Sequence, residues 1–190
     1  MKQHHKSLLR LIKSTVSNPR TGVEVGVFKG DTTTVISSAF SECRMILVDP
    51  WREAVEGESY RKDPRMGCYT QNEWDDIYRE AASRIEATGK PHTIYRLTSE
   101  DAADLVADGS VDFCFLDADH RYEAIKADID RWWPKVRIGG LLCGHDYGGV
   151  MDKSGVWGVK RAVHEKFTVQ VMTRPGKIWG VVKGGSCEVD

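Results

Sequence analysis

The chain has 190 residues, of which 41% are hydrophobic and 29% charged, and its formal net charge is −1. This length suits one domain with a sizeable core but not two. The charge gives no basic balance that would favour nucleic acid, and no apolar run approaches the roughly 20 residues of a membrane span. We therefore expect a single domain, 1–190, without nucleic-acid or membrane partners.

The five cysteines favour reduced thiols over disulfide bonds or a zinc site. Their number is odd, no CxxC spacing occurs, and Cys114 and Cys143 lie in predicted strands. The basic N-terminus has neither the apolar core nor the cleavage site of a signal peptide. We therefore expect a cytoplasmic protein whose cysteines are mostly structural.

The first predicted element is an amphipathic helix in the N-terminal segment 1–18. Apolar residues recur at helical spacing over 4–16. Asn18-Pro19 ends the helix, because the residue before a proline avoids the helical conformation. We expect this helix to pack on the sheet edge or on a partner, which leaves a homodimer open.

A glycine-containing turn follows the first predicted strand, 21–27. Gly26 and Gly30 allow a tight turn and a close approach of the backbone to a ligand. Asp31 or Thr32 is expected to cap the helix that follows. A strand, a glycine turn and a helix in this order are typical of nucleotide-binding sites. The spacing is not GxGxxG, however, so a plain strand-to-helix turn is the default interpretation of this segment alone.

An acid at the end of the second predicted strand strengthens the nucleotide interpretation. The strand 44–48 ends in Asp49, about twenty residues after the glycine turn, where an acid is placed to bind ribose hydroxyls. The turn and the acid together favour a nucleoside-containing ligand. The alternative is that Asp49 only caps the end of the strand.

The segment 52–71 reads as a long polar loop. A loop of this length in a compact domain is usually functional or disordered, so we expect a lid or substrate loop. The next predicted elements are a helix capped by Asn72 and ending near 88, a strand at 92–97, and a helix capped by Thr98 or Ser99 and ending near 107.

Two apolar runs end in acids and histidines, VDFCFLDADH at 111–120 and GGLLCGHDY at 139–147. A run this apolar is typical of a strand buried on both faces of a parallel sheet. Open α/β sheets bind ligands at the carboxyl ends of their strands, so the sequence predicts a chemical site at this rim. The side chains delivered there are Asp117, Asp119, His120, His145 and Asp146.

The remaining elements complete an alternation of strands and helices. A long helix is expected to begin at His120, with Trp132 and Trp133 in the core rather than against a ligand. The later predictions are a turn at 137–140, a glycine-rich loop at 148–155, a helix at 156–167, hairpin strands at 169–173 and 178–183, and a tail at 184–190. This order predicts a doubly wound α/β fold, mostly parallel, with one antiparallel strand.

These motifs resemble those of class I S-adenosylmethionine-dependent methyltransferases. The resemblance covers about 21–183. Within this class, the motifs more specifically resemble those of metal-dependent small-molecule O-methyltransferases of the macrolide-sugar, catechol and caffeoyl-CoA types. EVGVFKG matches the family's acid-x-Gly-x-x-x-Gly motif, and the hairpin matches its inserted seventh strand. FLDADHRYEAIKADI, GGLLCGHDY and GVKRAV match the small-molecule branch. The resemblance implies a Rossmann-like methyltransferase sheet and transfer of a methyl group to a hydroxyl of a sugar, catechol or other natural product.

The resemblance also implies roles for individual residues. Asp117 would be both a metal ligand and part of the catalytic and cofactor sites. His145 and Asp146 match paired metal ligands that are commonly two acids or Asp-Asn in relatives, so His145 departs from the pattern. His120 stands where relatives carry a lysine or histidine general base. The positions matched to S-adenosylmethionine binding are Glu24, Gly26, Gly30, Asp49, Ser99, Glu100 and Asp117.

The chemistry of these residue types agrees with the implied activity. Magnesium prefers carboxylate oxygens and keeps waters that two vicinal substrate oxygens could replace. The unperturbed pKa of an imidazole, roughly 6.5, would let His120 accept a proton near neutrality.

Several alternatives stay open on the sequence alone. His145 could orient Asp146 instead of binding metal, His120 could be a surface residue at a helix start, and Asp119 could cap that helix or support a metal ligand from outside. Asp117-Ala118-Asp119 is also a DxD motif, which a metal-dependent glycosyltransferase would use on a nucleotide sugar. A non-catalytic methyltransferase-like scaffold is the third candidate. The remaining histidines are expected at the surface or in structural roles: His4, His5, His92 and His164.

Overall fold

A computed structural model of the chain describes residues 1–54, 66–148, 158–168 and 171–184. The helices in these ranges are α1 Gln3–Thr15, α2 Asp31–Ala39, α3 Gln71–Glu86, α4 Ser99–Ala103, α5 Tyr122–Trp132 and α6 Val159–Lys166. The strands are β1 Thr21–Val25, β2 Arg44–Val48, β3 Thr93–Tyr95, β4 Val111–Leu116, β5 Val136–Gly144, β6 Met172–Arg174 and β7 Ile178–Val182.

The described strands form one seven-stranded sheet in the order β3-β2-β1-β4-β5-β7-β6. Strands β1 to β5 pair in parallel, and β7 is antiparallel to both β5 and β6. The chain reverses its direction of winding between β1 and β4, which are neighbours at the centre of the sheet. This confirms the predicted mostly parallel α/β fold. Open sheets of this kind bind ligands where the winding reverses, which here is at the carboxyl ends of β1 and β4.

Helices cover both faces of the sheet, as the apolar β4 requires. Phe113 and Phe115 pack with α1, α2 and α3 on one face, and Cys114 and Leu116 pack with α4, α5 and α6 on the other. Trp132 is fully buried in the second cluster and Trp133 packs against it, which confirms that the pair belongs to the core. Since both faces of β4 are buried, its register cannot shift without moving every side chain to the opposite face.

Two helix starts differ from the prediction. Helix α3 is capped by Thr70, not by Asn72: the Thr70 side chain accepts from the Glu73 N–H, and the Glu73 carboxylate accepts from the Thr70 N–H. The sequence carried this signal, because Thr-x-x-Glu is a capping box. Helix α2 starts after Gly30, which adopts a left-handed conformation with φ 77°, so Asp31 is its first residue and not its cap.

The ends of three other elements also differ from their predicted positions. Helix α4 is capped by Thr98, as one alternative held, but it ends at Ala103. Helix α5 begins at Tyr122, two residues after the predicted start. Strand β5 begins at Val136 and includes the residues predicted as a turn. The register between β4 and β5 shifts near this point, so two glycines that favour a turn are accommodated within an irregular strand.

Several predictions lie wholly or mostly outside the described residues: most of the loop 52–71, most of the glycine-rich segment 148–155, the start of the helix at 156–167, the start of the strand at 169–173, most of the tail 184–190, and Cys187. In the described ranges Cys43, Cys68, Cys114 and Cys143 are free thiols. None of the helices described is both long enough and apolar enough to cross a membrane.

Candidate active site

The turn after β1 is held against the end of β4. Gly26 has φ 89°, and its N–H donates to the Val48 carbonyl at 2.8 Å. A Cβ atom at Gly26 would lie 2.4 Å from the Asp117 carbonyl oxygen, so only glycine allows this approach. Phe28 follows with φ 50°, a conformation that a bulky residue rarely adopts. The turn is therefore strained, and its backbone packs directly against the backbone of Asp117.

Asp49 organises this turn from the end of β2. Its Oδ2 atom accepts from the N–H groups of Val27, at 3.1 Å, and Phe28, at 2.9 Å. Its Oδ1 atom accepts from the Trp51 N–H at 2.8 Å. Burial raises the pKa of Asp49, and these three hydrogen bonds oppose the rise by stabilising the charged form. A carboxylate has about four lone-pair sites, so Oδ1 retains capacity for a ligand hydroxyl.

Glu24 lies in β1, beneath the turn. Its carboxyl group is buried, and Oε2 accepts from the Thr33 hydroxyl at 2.5 Å. Burial raises the pKa of Glu24 to about 8, against the opposing effect of the Thr33 hydrogen bond. In this conformation the side chain is closed off from solvent and joins β1 to the first turn of α2.

The two residues predicted to flank an adenine ring lie after β3. The Ser99 hydroxyl donates to Asp128 and accepts from Trp132 Nε1 at 2.9 Å, so its polar contacts are directed into the core. Burial raises the pKa of Asp128 to about 7, although the Ser99 hydrogen bond opposes the rise. Glu100 is exposed and pairs with Arg131.

Two carboxylates and two imidazoles meet at the ends of β4 and β5. Asp117, His120, His145 and Asp146 each place one donor atom within 4.8 Å of all the others. The His145 Nδ1 atom is 3.1 Å from Asp146 Oδ2 and 3.4 Å from Asp117 Oδ1. The His120 Nε2 atom is 3.3 Å from Asp117 Oδ1 and 3.5 Å from Asp146 Oδ2. The structure thus brings together four of the five side chains predicted at this rim, and Asp119 is not among them.

Backbone hydrogen bonds extend the sheet by one residue at this rim. The Asp117 N–H donates to the Val25 carbonyl at 2.8 Å, and the His145 N–H donates to the Leu116 carbonyl at 3.1 Å. Successive side chains of a strand point to opposite faces. Asp146 instead has φ 56°, which ends the alternation and brings its carboxylate to the side where His145 lies.

Charge compensation dominates the electrostatics of the cluster. Burial alone would raise the pKa of Asp117, but hydrogen bonds to His120 and His145 outweigh it and lower the pKa. The pKa of Asp146 is also lowered: burial opposes this, and the contacts with the two histidines and Lys177 prevail. Burial would lower the pKa of His145, yet the two carboxylates raise it to about 10. The two carboxylates are thus compensated by the His145 imidazolium between them, with Lys177 as a further partner of Asp146.

Asp119 is not the helix cap that its position suggested. The N-cap of α5 is Arg121, and the Asp119 carboxylate accepts from the Arg121 N–H at 3.0 Å and from its guanidinium Nε at 2.9 Å. Asp117 and Asp119 therefore face different partners. In this conformation the two carboxylates of the DxD motif do not converge on one point where they could bind a metal ion together.

Sequence reasoning missed His4, which was expected at the surface or in a structural role. Its ring centroid lies 5.0 Å from that of His145, so α1 reaches the edge of the cluster. Gly176, in the turn between β6 and β7, packs so tightly on His4 that a Cβ there would lie 2.9 Å from the His4 Cα. No local sequence signal could reveal this contact, because it depends on how the hairpin meets α1.

The other histidines have structural contacts. His5 is buried with Thr32 Oγ1 at 3.3 Å, and burial, aided by the neighbouring His4, lowers its pKa to about 4. His92 Nδ1 accepts from the Met45 N–H at 3.0 Å. His164 lies 2.7 Å from the Tyr147 hydroxyl.

The cluster suits a divalent cation by its donor types. Carboxylate oxygens and imidazole nitrogens are protein ligands for divalent metals, and two carboxylates balance two positive charges. A bound cation would replace the proton on His145 as the partner of Asp117 and Asp146.

Comparison with known proteins shows a methyltransferase family and its fold. A family model described as "Methyltransferase domain" matches residues 23–147. An uncharacterized protein of Sinorhizobium fredii, y4gI, is 27% identical over 140 residues, which are 73% of this chain but only 14% of that protein.

Solved structures share the architecture at low identity. A Corynebacterium glutamicum protein superposes with a TM-score of 0.69 and 16% identity, covering 100% of this chain and 84% of its own. The O-methyltransferase TomG of Streptomyces achromogenes, involved in tomaymycin synthesis and crystallised with S-adenosylmethionine, gives a TM-score of 0.63 and 17% identity, covering 97% and 82%. At these identities the likeness shows the fold.

We expect Gly26→Ala to destabilise the protein more than Gly30→Ala. Both glycines have positive φ, so alanine adds strain of about 1–2 kcal/mol at either position. At Gly30 a Cβ would make ordinary contacts at 3.6 Å, whereas at Gly26 it would collide with the Asp117 backbone at 2.4 Å. Urea unfolding of the two variants measures the difference. Equal losses would show that the turn does not press on β4.

We expect Glu24→Gln to remove a fall in stability between about pH 4.5 and pH 8. The unfolded carboxyl ionises near its ordinary pKa of 4.5, while burial raises the pKa of the folded one to about 8. Stability is thus fully present below the unfolded pKa and is lost as the pH rises through the folded pKa, by on the order of 1 kcal/mol per pH unit. Urea unfolding at pH 5 and pH 8 tests this, with wild type as the control. If the two proteins lose the same stability between these pH values, the buried carboxyl does not hold the proton.

Proposed function

Because the chain belongs to the methyltransferase-domain family, we propose that it is an S-adenosylmethionine-dependent O-methyltransferase that acts on a hydroxyl group of a small molecule with the help of a divalent metal ion. The observation that carries this proposal is the cluster of Asp117, His120, His145 and Asp146 beside the strained glycine turn. The turn proposed to bind the cofactor packs against Asp117, and Asp117 is also a member of the cluster proposed to bind the metal ion. TomG, an O-methyltransferase crystallised with S-adenosylmethionine, supports the assignment through its shared fold.

The proposed cofactor site extends from the glycine turn to the start of α4. Gly26 and Gly30 leave room for close approach to the turn, and the free lone pair of Asp49 Oδ1 is available to a ribose hydroxyl. Since the Ser99 hydroxyl and Glu100 already have protein partners, we expect their backbone and apolar parts to flank the adenine ring. Glu24 would act from beneath, by supporting the turn that meets the methionine moiety.

The proposed metal ligands are Asp117, His145 and Asp146. When bound, S-adenosylmethionine would supply an activated methyl group, and magnesium or a related divalent ion would acidify and orient the acceptor hydroxyl. His120, with its Nε2 atom 3.3 Å from Asp117 Oδ1, is the group proposed to accept the hydroxyl proton. Holding the acceptor within the rim limits its orientation, which is a large part of methyl-transfer catalysis.

The wider assignments belong to the same proposal. The acceptor is a sugar, a catechol or another hydroxylated natural product, and the segment 52–71 serves as the lid or substrate loop. The protein is cytoplasmic, and α1 is the surface on which a homodimer would form. The whole chain, 1–190, works as one methyltransferase domain.

The two rival functions find less support. A glycosyltransferase of the DxD type needs both acids of Asp117-Ala118-Asp119 at the metal, but Asp119 is held by Arg121. A non-catalytic scaffold would not need four converging donor side chains, nor the strained backbone at Asp146.

We expect S-adenosylhomocysteine to bind and uridine diphosphate not to bind. Asp49 Oδ1 can accept a ribose hydroxyl of the cofactor product, whereas a DxD glycosyltransferase would hold the diphosphate through a metal on Asp117 and Asp119, and Asp119 is paired with Arg121. Titration calorimetry with each compound, with and without magnesium, tests this expectation. Tight binding of only the diphosphate would overturn the proposal.

We expect Asp117→Asn to reduce kcat by at least about 100-fold, since even an outer partner of a metal ligand is worth 10- to 100-fold. The measurement is an S-adenosylhomocysteine-release assay over a panel of sugars, catechols and other hydroxylated compounds, with chelator and magnesium add-back. Asp119→Asn is the matched control, because Asp119 pairs with Arg121 outside the cluster. Equal losses in the two variants would show that turnover depends on Asp119 as much as on Asp117, and would contradict the proposed set of metal ligands. A wild-type protein that binds S-adenosylhomocysteine but turns over no acceptor would favour the scaffold.

A further inference from the structure

The metal-type cluster contains two histidines, and the structure separates their roles. We propose that His145 is a nitrogen ligand of the metal ion, that His120 is not, and that the resulting mixed nitrogen and oxygen site prefers a late transition-metal ion such as Co²⁺ or Zn²⁺ over Mg²⁺. This inference rests on the proposed function only in treating the cluster as a metal site.

The positions of the donor atoms support three ligands from β4 and β5. Donors that bind one ion at bond lengths of about 2.1 Å lie about 3 Å apart in an octahedral site and about 3.4 Å apart in a tetrahedral one. The His145 Nδ1 atom lies 3.1 Å from Asp146 Oδ2 and 3.4 Å from Asp117 Oδ1, close to these spacings. A small inward movement of all three would close them around one ion.

The backbone of β5 directs His145 to this point. Its N–H is bonded to the Leu116 carbonyl, and the Tyr147 N–H is bonded to the Lys177 carbonyl at 3.0 Å, so the residues on either side of Asp146 are fixed. Between them Asp146 takes φ 56°, a left-handed conformation that non-glycine residues seldom adopt. This conformation brings two consecutive side chains together, as a pair of adjacent ligands requires.

His120 occupies a different position in the fold. It lies in the connection between β4 and α5, and its carbonyl accepts from the Gly158 N–H at 2.9 Å. Its Nε2 atom lies 3.3 Å from Asp117 Oδ1 and 3.5 Å from Asp146 Oδ2, close to the distances of His145, so its position outside the sheet, and not distance, separates it from His145. If three protein donors bind the ion, at least one position remains for an acceptor oxygen, and His120 lies beside it as the proposed proton acceptor.

The donor set determines which ion is preferred. Magnesium and calcium favour carboxylate, carbonyl and water oxygens, whereas imidazole suits zinc, iron, nickel and copper. With His145 as a ligand, the site carries two negative charges and one neutral nitrogen. It lacks the third carboxylate that would help to hold the strongly hydrated Mg²⁺, and it gains a donor that favours the later ions.

The test titrates metal alone, without cofactor or acceptor, into the full chain. Calorimetry with Co²⁺ and with Mg²⁺ is compared for wild type, His145→Asp and His120→Gln, with His164→Gln as a control for an imidazole outside the cluster. We expect wild type to bind Co²⁺ at least about tenfold more tightly than Mg²⁺. We expect His145→Asp to shrink that ratio by about tenfold, the lower end of what losing a partner of a metal ligand costs. His120→Gln and His164→Gln should keep the wild-type ratio.

Equal wild-type affinities for the two ions would overturn the proposal. It would also fail if His120→Gln, and not His145→Asp, removed the preference. Circular dichroism confirms that each variant is folded.

A second measurement on the wild-type protein does not depend on any variant. Pulsed electron paramagnetic resonance of the Mn²⁺-loaded chain should show coupling to one coordinated imidazole nitrogen. The absence of nitrogen coupling, or coupling to two imidazoles, would overturn the proposal. Since neither experiment contains a cofactor, failure to bind S-adenosylhomocysteine and failure of the metal preference are separate results.

Discussion

The end of β4 is hydrogen-bonded on both sides, and the geometry of the whole rim depends on this. The Asp117 N–H bonds to Val25 in β1, and the Leu116 carbonyl bonds to His145 after β5. Because β4 is apolar on both faces and covered on both, these bonds are buried at the centre of the sheet and cannot be exchanged for water without loss. The glycine turn, the carboxylate of Asp117 and the histidine of the next strand are therefore positioned by one continuous ladder.

Four acids lie at or beneath this rim, and each is accommodated by a different means. Glu24 keeps its proton, Asp49 accepts three backbone N–H groups, and Asp117 and Asp146 share histidines. Leaving several carboxylates charged and unpaired in so small a volume would be costly. Only the last solution is easily exchanged, because a proton on an imidazole can be replaced by a metal ion while a backbone N–H cannot. The exchangeable acids are the ones proposed to bind metal.

The sequence was sufficient to predict the sheet and the acids and histidines at its rim. It was not sufficient to predict the exact ends of the elements or the contacts between residues far apart in the chain. The apolar runs and the alternation of elements predict the strands well, since β4 must be covered on both faces. Thr70 was missed as a helix cap although its Thr-x-x-Glu pattern was readable, whereas the start of β5 was obscured by Gly139 and Gly140, which favour a turn. The proximity of His4 to His145 could not be predicted, because the two residues are far apart in the chain and meet only through the packing of α1 on β5 and the C-terminal hairpin.

The two acids of Asp117-Ala118-Asp119 show how neighbouring partners decide between chemistries that one motif allows. Asp119 is paired with the guanidinium of Arg121, which does not lose its charge at any physiological pH. Asp117 is paired with imidazoles, which can give up a proton. A metal ion can therefore displace the partner of Asp117 at the cost of one proton, but at Asp119 it would have to break an ion pair and leave a guanidinium beside the new cation. The same residue type, two positions along the chain, is thus available to a metal in one case and unavailable to it in the other.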